Sequence, residues 1–317
     1  MQVPFATGKK IIIAGAGISG LSFAVALRKR WESEDPSLCA PTITILERDT
    51  EDFGTQREGY SISIRSDSGS AGMQTLQKLG LLESLLEQNT SKIQGDPGAF
   101  CFWGLEWNTI LRTNFRTPIG LPVPSMRIAR NILRKTLLQS LSEEDHIQWG
   151  KTCIATSRID NGKTGVYLSD DRILECDILV AADGAKSKIR SSIRPDDELS
   201  FAGPVCLMGN AKFSGQVPSP CNKDWGRVLG GNGISLFVGP IDEHSAVWSL
   251  SYRASEPSEP LKQPLSLPKF EELIEGALER GEHFNEPYQT LVRATDPATL
   301  TLVNAMDKQP FTHTGDF

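Results

Sequence analysis

The sequence predicts an α/β fold in which a parallel sheet carries a nucleotide-binding turn and a second, strand-rich domain follows. The stretch KKIIIAGAGISG, from Lys9 to Gly20, reads as a buried strand that ends in Gly15-x-Gly17-x-x-Gly20, and the helical pattern LSFAVALRKR follows directly. Beyond Pro195 the chain changes to strands joined by turns rich in Pro, Gly and Ser. The first observation is typical of a Rossmann-like domain, and the second indicates a separate sheet that completes a cleft.

The three glycines of the turn have separate predicted tasks. Gly15 permits the tight turn, Gly17 lets the backbone approach a pyrophosphate, and Gly20 allows the helix to pack closely on the strand. The pyrophosphate is expected at the helix N-terminus, where unpaired N–H groups and the helix dipole favour negative charge. A Gly17→Val substitution is therefore expected to abolish binding.

An acidic residue ends the second predicted strand, where a dinucleotide-binding site needs a ligand for the ribose. The segment TITILERDT reads as a second strand with Glu47 at its end, 27 residues after Gly20, whereas roughly 20 is usual. The polar insertion from Glu32 to Pro41 accounts for the excess as a surface loop. Glu47 is predicted to accept the ribose hydroxyls of an adenosine, and Glu47→Ala to weaken binding with little loss of fold. The glycines alone do not distinguish NAD from FAD.

Composition excludes several functional classes. The chain has 317 residues and a net charge of −6, which argues against nucleic acid or an anionic membrane surface as the main partner. The apolar stretch from residue 11 to 27 is interrupted by three glycines and falls short of a bilayer span, so no membrane span is expected. The six cysteines form no CxxC pair, which is typical of reduced thiols and predicts a cytoplasmic location. The four histidines are dispersed, so no metal site is expected.

The remaining segments of the first half read in order as strands and helices. Residues 60–65 alternate as a strand whose polar face, with Arg65, either borders a ligand or is solvated. A leucine-rich helical stretch covers 68–88 with a break at Gly80. Residues 98–124 read as two strands that could wall a pocket, although their aromatic side chains Trp103, Trp107 and Phe115 fit a core equally well.

A second candidate ligand position lies further along the chain. A helix is predicted over residues 125–144, and short strands follow with a hairpin turn at Asn161-Gly162. The near-continuous apolar strand ILECDILVAA ends at Ala182, and Asp183-Gly184 then turns the chain. A carboxylate at the carboxyl edge of a doubly wound sheet is well placed for a ligand, whereas a plain turn is the alternative. The predicted domains are 1–195, with 90–125 contributing to the second sheet, then 196–300, and a return segment, 301–317.

These residues together resemble the FAD-dependent aromatic hydroxylases and related monooxygenases, the para-hydroxybenzoate hydroxylase group. The resemblance covers nearly the whole chain. GAGISGLSFAVAL with Glu47 is similar to the flavin-type dinucleotide fingerprint, and CDILVAADGAKSKIR to the second fingerprint, whose Asp-Gly lies between the flavin and nicotinamide sites. The second match favours FAD over NAD. It implies a Rossmann-like FAD-binding domain of the GR2 type with a strand-rich substrate domain.

The resemblance also assigns site residues. Arg130, Leu133, Arg134 and Leu137 match the family pattern Arg-x-x-Leu-Arg-x-x-Leu, whose first arginine contacts FAD, while Arg134 is expected at the surface or in packing. Gly59 aligns with a family glycine beside the cofactor. The predicted cofactor-binding residues are therefore Gly15, Gly17, Gly20, Glu47, Gly59, Arg130, Asp183 and Gly184. No catalytic residue is nominated, because the cofactor carries the chemistry.

The family's third motif, Gly-Asp-x-x-His-x-x-x-Pro, is where the sequence departs from the pattern. The chain ends at Gly315-Asp316-Phe317, and PFTHT before it is no buried strand. We expect Asp316 to lie in the loop before the motif and the chain to be truncated at its C-terminus relative to the family.

The resemblance implies a monooxygenase in which NAD(P)H reduces FAD and O2 supplies one oxygen atom to an aromatic, polyketide-like or other apolar small molecule. Two alternatives stay open at this point. One is a non-catalytic remnant that binds FAD poorly or not at all, and the other is an NAD-dependent dehydrogenase, which would leave the Asp183-Gly184 fingerprint unexplained.

Overall fold

A computed structural model gives the fold of residues 3–51, 61–66, 70–88, 98–159 and 162–308. The helices and strands of these residues follow in chain order: β1 (Lys10–Ala14), α1 (Ile18–Trp31), β2 (Thr42–Leu46), β3 (Ser61–Arg65), α2 (Gly72–Leu79), α3 (Leu82–Glu87), β4 (Phe100–Trp103), β5 (Thr109–Thr113), β6 (Ser125–Ala129), α4 (Arg130–Gln139), β7 (His146–Gln148), β8 (Cys153–Arg158), β9 (Thr164–Leu168), β10 (Ile173–Cys176), β11 (Ile178–Ala181), α5 (Lys188–Ile193), β12 (Ser200–Lys212), β13 (Trp225–Gly231), β14 (Ile234–Pro240), β15 (Ser245–Arg253), α6 (Leu267–Arg280), α7 (Tyr288–Arg293) and β16 (Thr301–Asp307).

The first sheet is parallel, with its strands in the order β11-β1-β2-β7. Its central strand β1 is apolar on both faces, with Ile11, Ile12 and Ile13 all fully buried, because helices cover one face and the β8–β10 sheet packs on the other. Gly15 follows β1, Glu47 follows β2, and Asp183 lies just beyond β11. The carboxyl ends of three neighbouring parallel strands therefore bring the predicted ligand residues to one edge.

Two smaller sheets and a helical pair complete this half. β8, β9 and β10 form an antiparallel meander, and β3 pairs with β6 in a two-stranded ribbon. The leucine-rich stretch divides into α2 and α3 at Gly80, whose φ of 76° ends α2 in the left-handed conformation. This is the break that the sequence predicts, because glycine adopts that conformation without steric cost.

The second half is dominated by a seven-stranded sheet in the order β16-β12-β15-β14-β13-β4-β5. All its neighbours are antiparallel except β13 and β4, which run parallel. One face packs on α6 and α7 around the buried side chains of Trp103, Trp248 and Tyr288. Trp107 packs at the margin of the same core. Of the three aromatic side chains at residues 98–124 that the sequence left open, Trp103 and Trp107 therefore belong to this core.

The large sheet crosses the domain boundaries that the sequence predicts. Residues 100–113 supply β4 and β5 to it, as the contribution of 90–125 to the second sheet anticipates. Residues 301–307, predicted as part of a return segment, form β16, which pairs with β12 and is one edge strand of the large sheet.

The opposite face of the large sheet carries half-buried aromatic side chains. Phe100 and Phe102 of β4, Trp225 of β13 and Phe237 of β14 point to this face, because side chains alternate along a strand and their neighbours fill the core. We call these four residues the aromatic face.

Within the described residues, no helix has the length and apolar composition needed to cross a membrane. The same residues contain no group of three or more His, Cys, Asp or Glu side chains that could hold a metal ion.

Candidate functional site

A cavity of about 710 Å³ lies at the carboxyl edge of the parallel sheet. It is lined by the ends of β1, β2 and β11, the start of α1 and one face of α4. Among the lining residues that the structure describes, six are basic and three are acidic: Arg48, Arg130, Arg134, Lys151, Lys186 and Lys188 against Glu47, Asp49 and Asp183. In a chain whose net charge is −6, this local positive excess favours an anionic ligand.

Two of the three glycines in the loop are required by the fold itself. Gly15 has a φ of +110°, and a Cβ there would lie 2.5 Å from the carbonyl oxygen of Ala182. A Cβ on Gly20 would collide with the carbonyl oxygen of Gly15. These contacts bring β11 and α1 as close to the loop as their backbones allow.

Gly17 is different, because nothing in the fold requires a glycine there. Its φ of −78° suits any residue, and a Cβ built on it meets no heavy atom of the described residues within 4 Å. The space beside it belongs to the cavity. The first intrahelical bond of α1 runs from Leu21 N to Gly17 O, so the N–H groups of residues 18–20 precede the helical ladder, and the first turn holds no acidic residue. This arrangement suits a phosphate that approaches the backbone.

The carboxylate of Glu47 faces the glycine loop from the end of β2. The residue is 7% exposed, its Oε2 accepts a hydrogen bond of 2.8 Å from Ala16 N, and its Oε1 accepts one of 3.0 Å from Asp49 N. Glu47 also lines the cavity. The Glu47 carboxylate is therefore a buried hydrogen-bond acceptor that borders both the glycine loop and the cavity in which the predicted ribose would lie.

Arg134 was expected at the surface or in packing, and the surface placement is wrong. It is 3% exposed, its Nε donates a 2.7 Å hydrogen bond to Ala16 O, and its Nη2 lies 3.4 Å from Glu47 Oε2. Arg130 and Arg134 are four residues apart on α4 and share one face. That face is turned to the cavity, which both residues line, and this orientation could not be read from periodicity alone.

The second predicted fingerprint also reaches the cavity. Asp183 and Gly184 line it, and Asp183 Oδ2 accepts a 3.3 Å hydrogen bond from Ile189 N. Gly184 has a φ of +87°. The structure thus brings Gly15, Gly17, Glu47, Arg130, Asp183 and Gly184 to one cavity, with Gly20 packed behind the loop. Gly59, Gly315 and Asp316 lie outside the described residues.

Sequence reasoning missed three lysines of the cavity. Lys186 and Lys188 follow Asp183 within five residues, so their proximity to the second fingerprint in the segment ADGAKSK could have identified them. No sequence pattern near Lys151 indicates that it reaches the cavity. It reaches the cavity because its backbone N donates to Glu47 O at 2.7 Å, a contact between residues more than 100 positions apart.

Cys153 lines the same cavity, and we expect its thiol to be unreactive. Burial, with a smaller contribution from the Asp183 carboxylate, raises the pKa of Cys153 to about 12. The nucleophilic thiolate is therefore scarce at pH 8. Brief treatment of the native protein with iodoacetamide at pH 8 should label the exposed Cys39 and leave Cys153 unmodified by peptide mass spectrometry. Rapid labelling of Cys153 would show that its thiol is accessible and readily ionised, against this expectation.

The aromatic face lies against the β3–β6 ribbon. The Trp225 ring is 5.0 Å from that of Phe100 and 6.5 Å from that of Phe237, measured between centroids. Arg127 of β6 places its Cζ 5.5 Å from the Phe237 centroid, and burial lowers the pKa of Arg127 to about 10. Arg65 of β3 lies over Phe115 at 4.7 Å, so the polar face of β3 borders aromatic rings.

Comparison with known proteins gives the family. No protein-family model matches the chain. The monooxygenase cfoF of Aspergillus candidus is 34% identical to it over 98% of this chain and 75% of the relative. The chain belongs to the FAD-dependent monooxygenases. The chloroplastic zeaxanthin epoxidase of Spinacia oleracea is 27% identical over 77% of this chain, which spans only 34% of that relative.

Solved structures agree on the fold. HpxO of Klebsiella pneumoniae, solved with FAD and uric acid, matches with a TM-score of 0.72 and 19% identity over 98% of this chain and 71% of its own. The predicted α/β class, a Rossmann-like FAD-binding domain with a strand-rich second domain, is confirmed. FAD is the cofactor of the FAD-dependent monooxygenases, and the open space at Gly17, the basic lining and the buried Glu47 acceptor fit its adenosine diphosphate half.

Proposed function

We propose that the chain binds FAD in the cavity at the edge of the parallel sheet and is an NAD(P)H-dependent monooxygenase. The observation that carries this proposal is the open space at Gly17, bordered by the N-terminus of α1 and a buried carboxylate. In this proposal Gly17 and the start of α1 receive the pyrophosphate and Glu47 accepts from the ribose. Arg130 and the cavity lysines neutralise the phosphates, and Asp183-Gly184 borders the flavin.

When bound, FAD supplies the redox chemistry, accepting a hydride from NAD(P)H and activating O2 for transfer of one oxygen atom. The chain's own part is to bind, orient and exclude water. Gly15 and Gly20 hold β11 and α1 tightly against the loop, so the phosphate-binding N–H groups keep their direction. Glu47 fixes the adenosine end, and the aromatic face limits water on the substrate side.

The substrate that fits best is an aromatic or polyketide-like small molecule, which the enzyme hydroxylates or epoxidises. The aromatic face supports this class, because its half-buried rings form an apolar surface that suits contact with a planar apolar molecule. The name of the zeaxanthin epoxidase relative supports epoxidation as one of the two outcomes. We propose a cytoplasmic location, which the six free cysteines support because thiols stay reduced there.

The relatives favour this function over an NAD-dependent dehydrogenase, because two of them are named FAD-dependent monooxygenases. Two measurements distinguish a monooxygenase from a non-catalytic remnant. Titration of the purified apoprotein with FAD should reach one FAD per chain and give a visible flavin spectrum. NADPH or NADH consumption with O2 should then rise when planar phenols are added. Protein that takes up no FAD under any reconstitution condition would overturn the proposal.

Trp225 provides a test of the substrate side. We expect Trp225→Leu to weaken binding of 2-naphthol, a fused aromatic probe, roughly fivefold, because an aromatic stacking partner contributes about 1 kcal/mol. FAD affinity should not change, since Trp225 does not line the cavity. Calorimetric titration of both ligands checks this. The matched control is Phe5→Leu, which removes a ring that is 81% exposed and outside the aromatic face. Equal 2-naphthol affinity in both variants would show that the aromatic face is not the substrate surface.

A further inference from the structure

Arg134 makes contacts that join three parts of the candidate site. Its side chain leaves α4, is 3% exposed, and reaches both the glycine loop and the end of β2. Nε donates to Ala16 O at 2.7 Å, and Nη2 lies 3.4 Å from Glu47 Oε2. The guanidinium suits this double contact because it presents several donors in a fixed plane.

The two contacts close a ring around Ala16. The N–H of Ala16 donates to Glu47 Oε2 at 2.8 Å, its C=O accepts from Arg134 Nε, and Arg134 Nη2 returns to Glu47 Oε2. Both peptide units that flank Ala16 are thereby fixed. Because Ala16 stands between Gly15 and Gly17, the direction of the phosphate-binding backbone is set by this ring.

The ring also determines which oxygen of Glu47 can meet a ligand. A carboxylate offers about four acceptor positions, two on each oxygen. Within the described part of the chain, Oε2 accepts from Ala16 N and Arg134 Nη2, and Oε1 accepts from Asp49 N. A second acceptor position therefore remains on Oε1. The sequence predicted that Glu47 accepts from both ribose hydroxyls, whereas this geometry assigns one hydroxyl to Oε1.

We propose that Arg134 is a positioning residue for the adenosine diphosphate half of the cofactor. It holds the loop in its binding conformation before the ligand arrives and turns Glu47 so that Oε1 faces the ribose. This inference rests on the proposed FAD site. Preorganisation of this kind improves affinity, because binding then orders less of the protein.

The test uses ADP and FAD as probes on the full-length apoprotein, titrated by calorimetry. Arg134→Met should weaken ADP binding about tenfold or more, since it removes two charge-assisted hydrogen bonds from the ring. Arg134→Lys keeps the positive charge but cannot reach both Ala16 O and Glu47 Oε2. Its ADP affinity should therefore lie between those of the parent protein and Arg134→Met. The matched control is Arg28→Met, which breaks a part-buried ion pair away from the cavity, in which Arg28 Nε and Nη2 both donate to Asp145 Oδ1, at 2.9 and 2.6 Å. That control should lose stability and keep its ADP affinity.

A cycle with Glu47→Gln separates positioning from mere structural support. If Arg134 acts through Glu47, the double variant Glu47→Gln/Arg134→Met should bind ADP about as tightly as whichever single variant has the lower ADP affinity. Strictly additive losses, or ADP affinity equal to that of the parent in folded Arg134→Met, would overturn the proposal while leaving the FAD site intact. A parent protein that binds neither ADP nor FAD would instead overturn the proposed function. If Arg134→Met does not fold, Arg134→Lys gives the same comparison.

Discussion

Replacing Gly17 with valine is expected to remove most of the FAD affinity while the protein remains folded. The backbone at Gly17 has a φ of −78°, which valine tolerates, and a Cβ there meets no atom of the described residues within 4 Å. The added side chain therefore projects into the space that a pyrophosphate would need. A steric cost of this kind corresponds to a loss of affinity of about 100-fold, measured by FAD titration followed by flavin fluorescence.

The control for this experiment is Gly215→Val. Gly215 is exposed, and a Cβ on it also meets no atom of the described residues within 4 Å, but Gly215 lies outside the cavity. Both variants should unfold at nearly the parent's denaturant midpoint, and only Gly17→Val should lose FAD. If Gly17→Val retained flavin at parental affinity, the pyrophosphate would have to lie elsewhere.

Replacing Glu47 with alanine is expected to cost stability as well as affinity. The sequence suggested little loss of fold, but Glu47 is buried and lies 3.4 Å from the buried guanidinium of Arg134. Removing one partner of a buried pair leaves an uncompensated charge, which typically costs about 3 kcal/mol of unfolding free energy. Urea denaturation of the apoprotein, followed by tryptophan fluorescence, measures this loss.

The double variant Glu47→Ala/Arg134→Met provides the internal comparison. It removes both charges of the pair, so part of the lost stability should return even though FAD binding does not. Glu47→Gln, which keeps an acceptor oxygen, should be destabilised less than Glu47→Ala. Parental stability of Glu47→Ala would mean that Glu47 and Arg134 do not depend on each other as the geometry indicates.

Much of the candidate site was predictable because its determinants are local. A strand, a glycine turn and a helix occupy one short stretch from Lys10 to Trp31, so their pattern is visible without knowing the fold. The same holds for Glu47, which directly follows a strand of alternating apolar residues, and for Asp183-Gly184 just beyond β11. Parallel pairing then brings these strand ends to one edge of the sheet.

Other features depended on pairings between distant segments. Arg134 and Glu47 are 87 positions apart, and Arg134 and Ala16 are 118 apart. The helical period placed Arg134 beside Arg130, but it could not say whether their face met solvent or the loop. Lys151 reaches the cavity through a backbone bond to Glu47, and the 301–307 segment completes the edge of the large sheet by pairing with β12.

By itself, the sequence determined the α/β class, the glycine turn, the acidic strand end and the resemblance to the flavin monooxygenases. Only the tertiary structure decided that Gly17 faces open space, that Arg134 is buried against Ala16 and Glu47, and that an aromatic face lies opposite the helical core of the large sheet. The physical reason is that backbone conformation follows largely from neighbouring residues, whereas burial and charge pairing depend on which distant surfaces meet when the sheets pack.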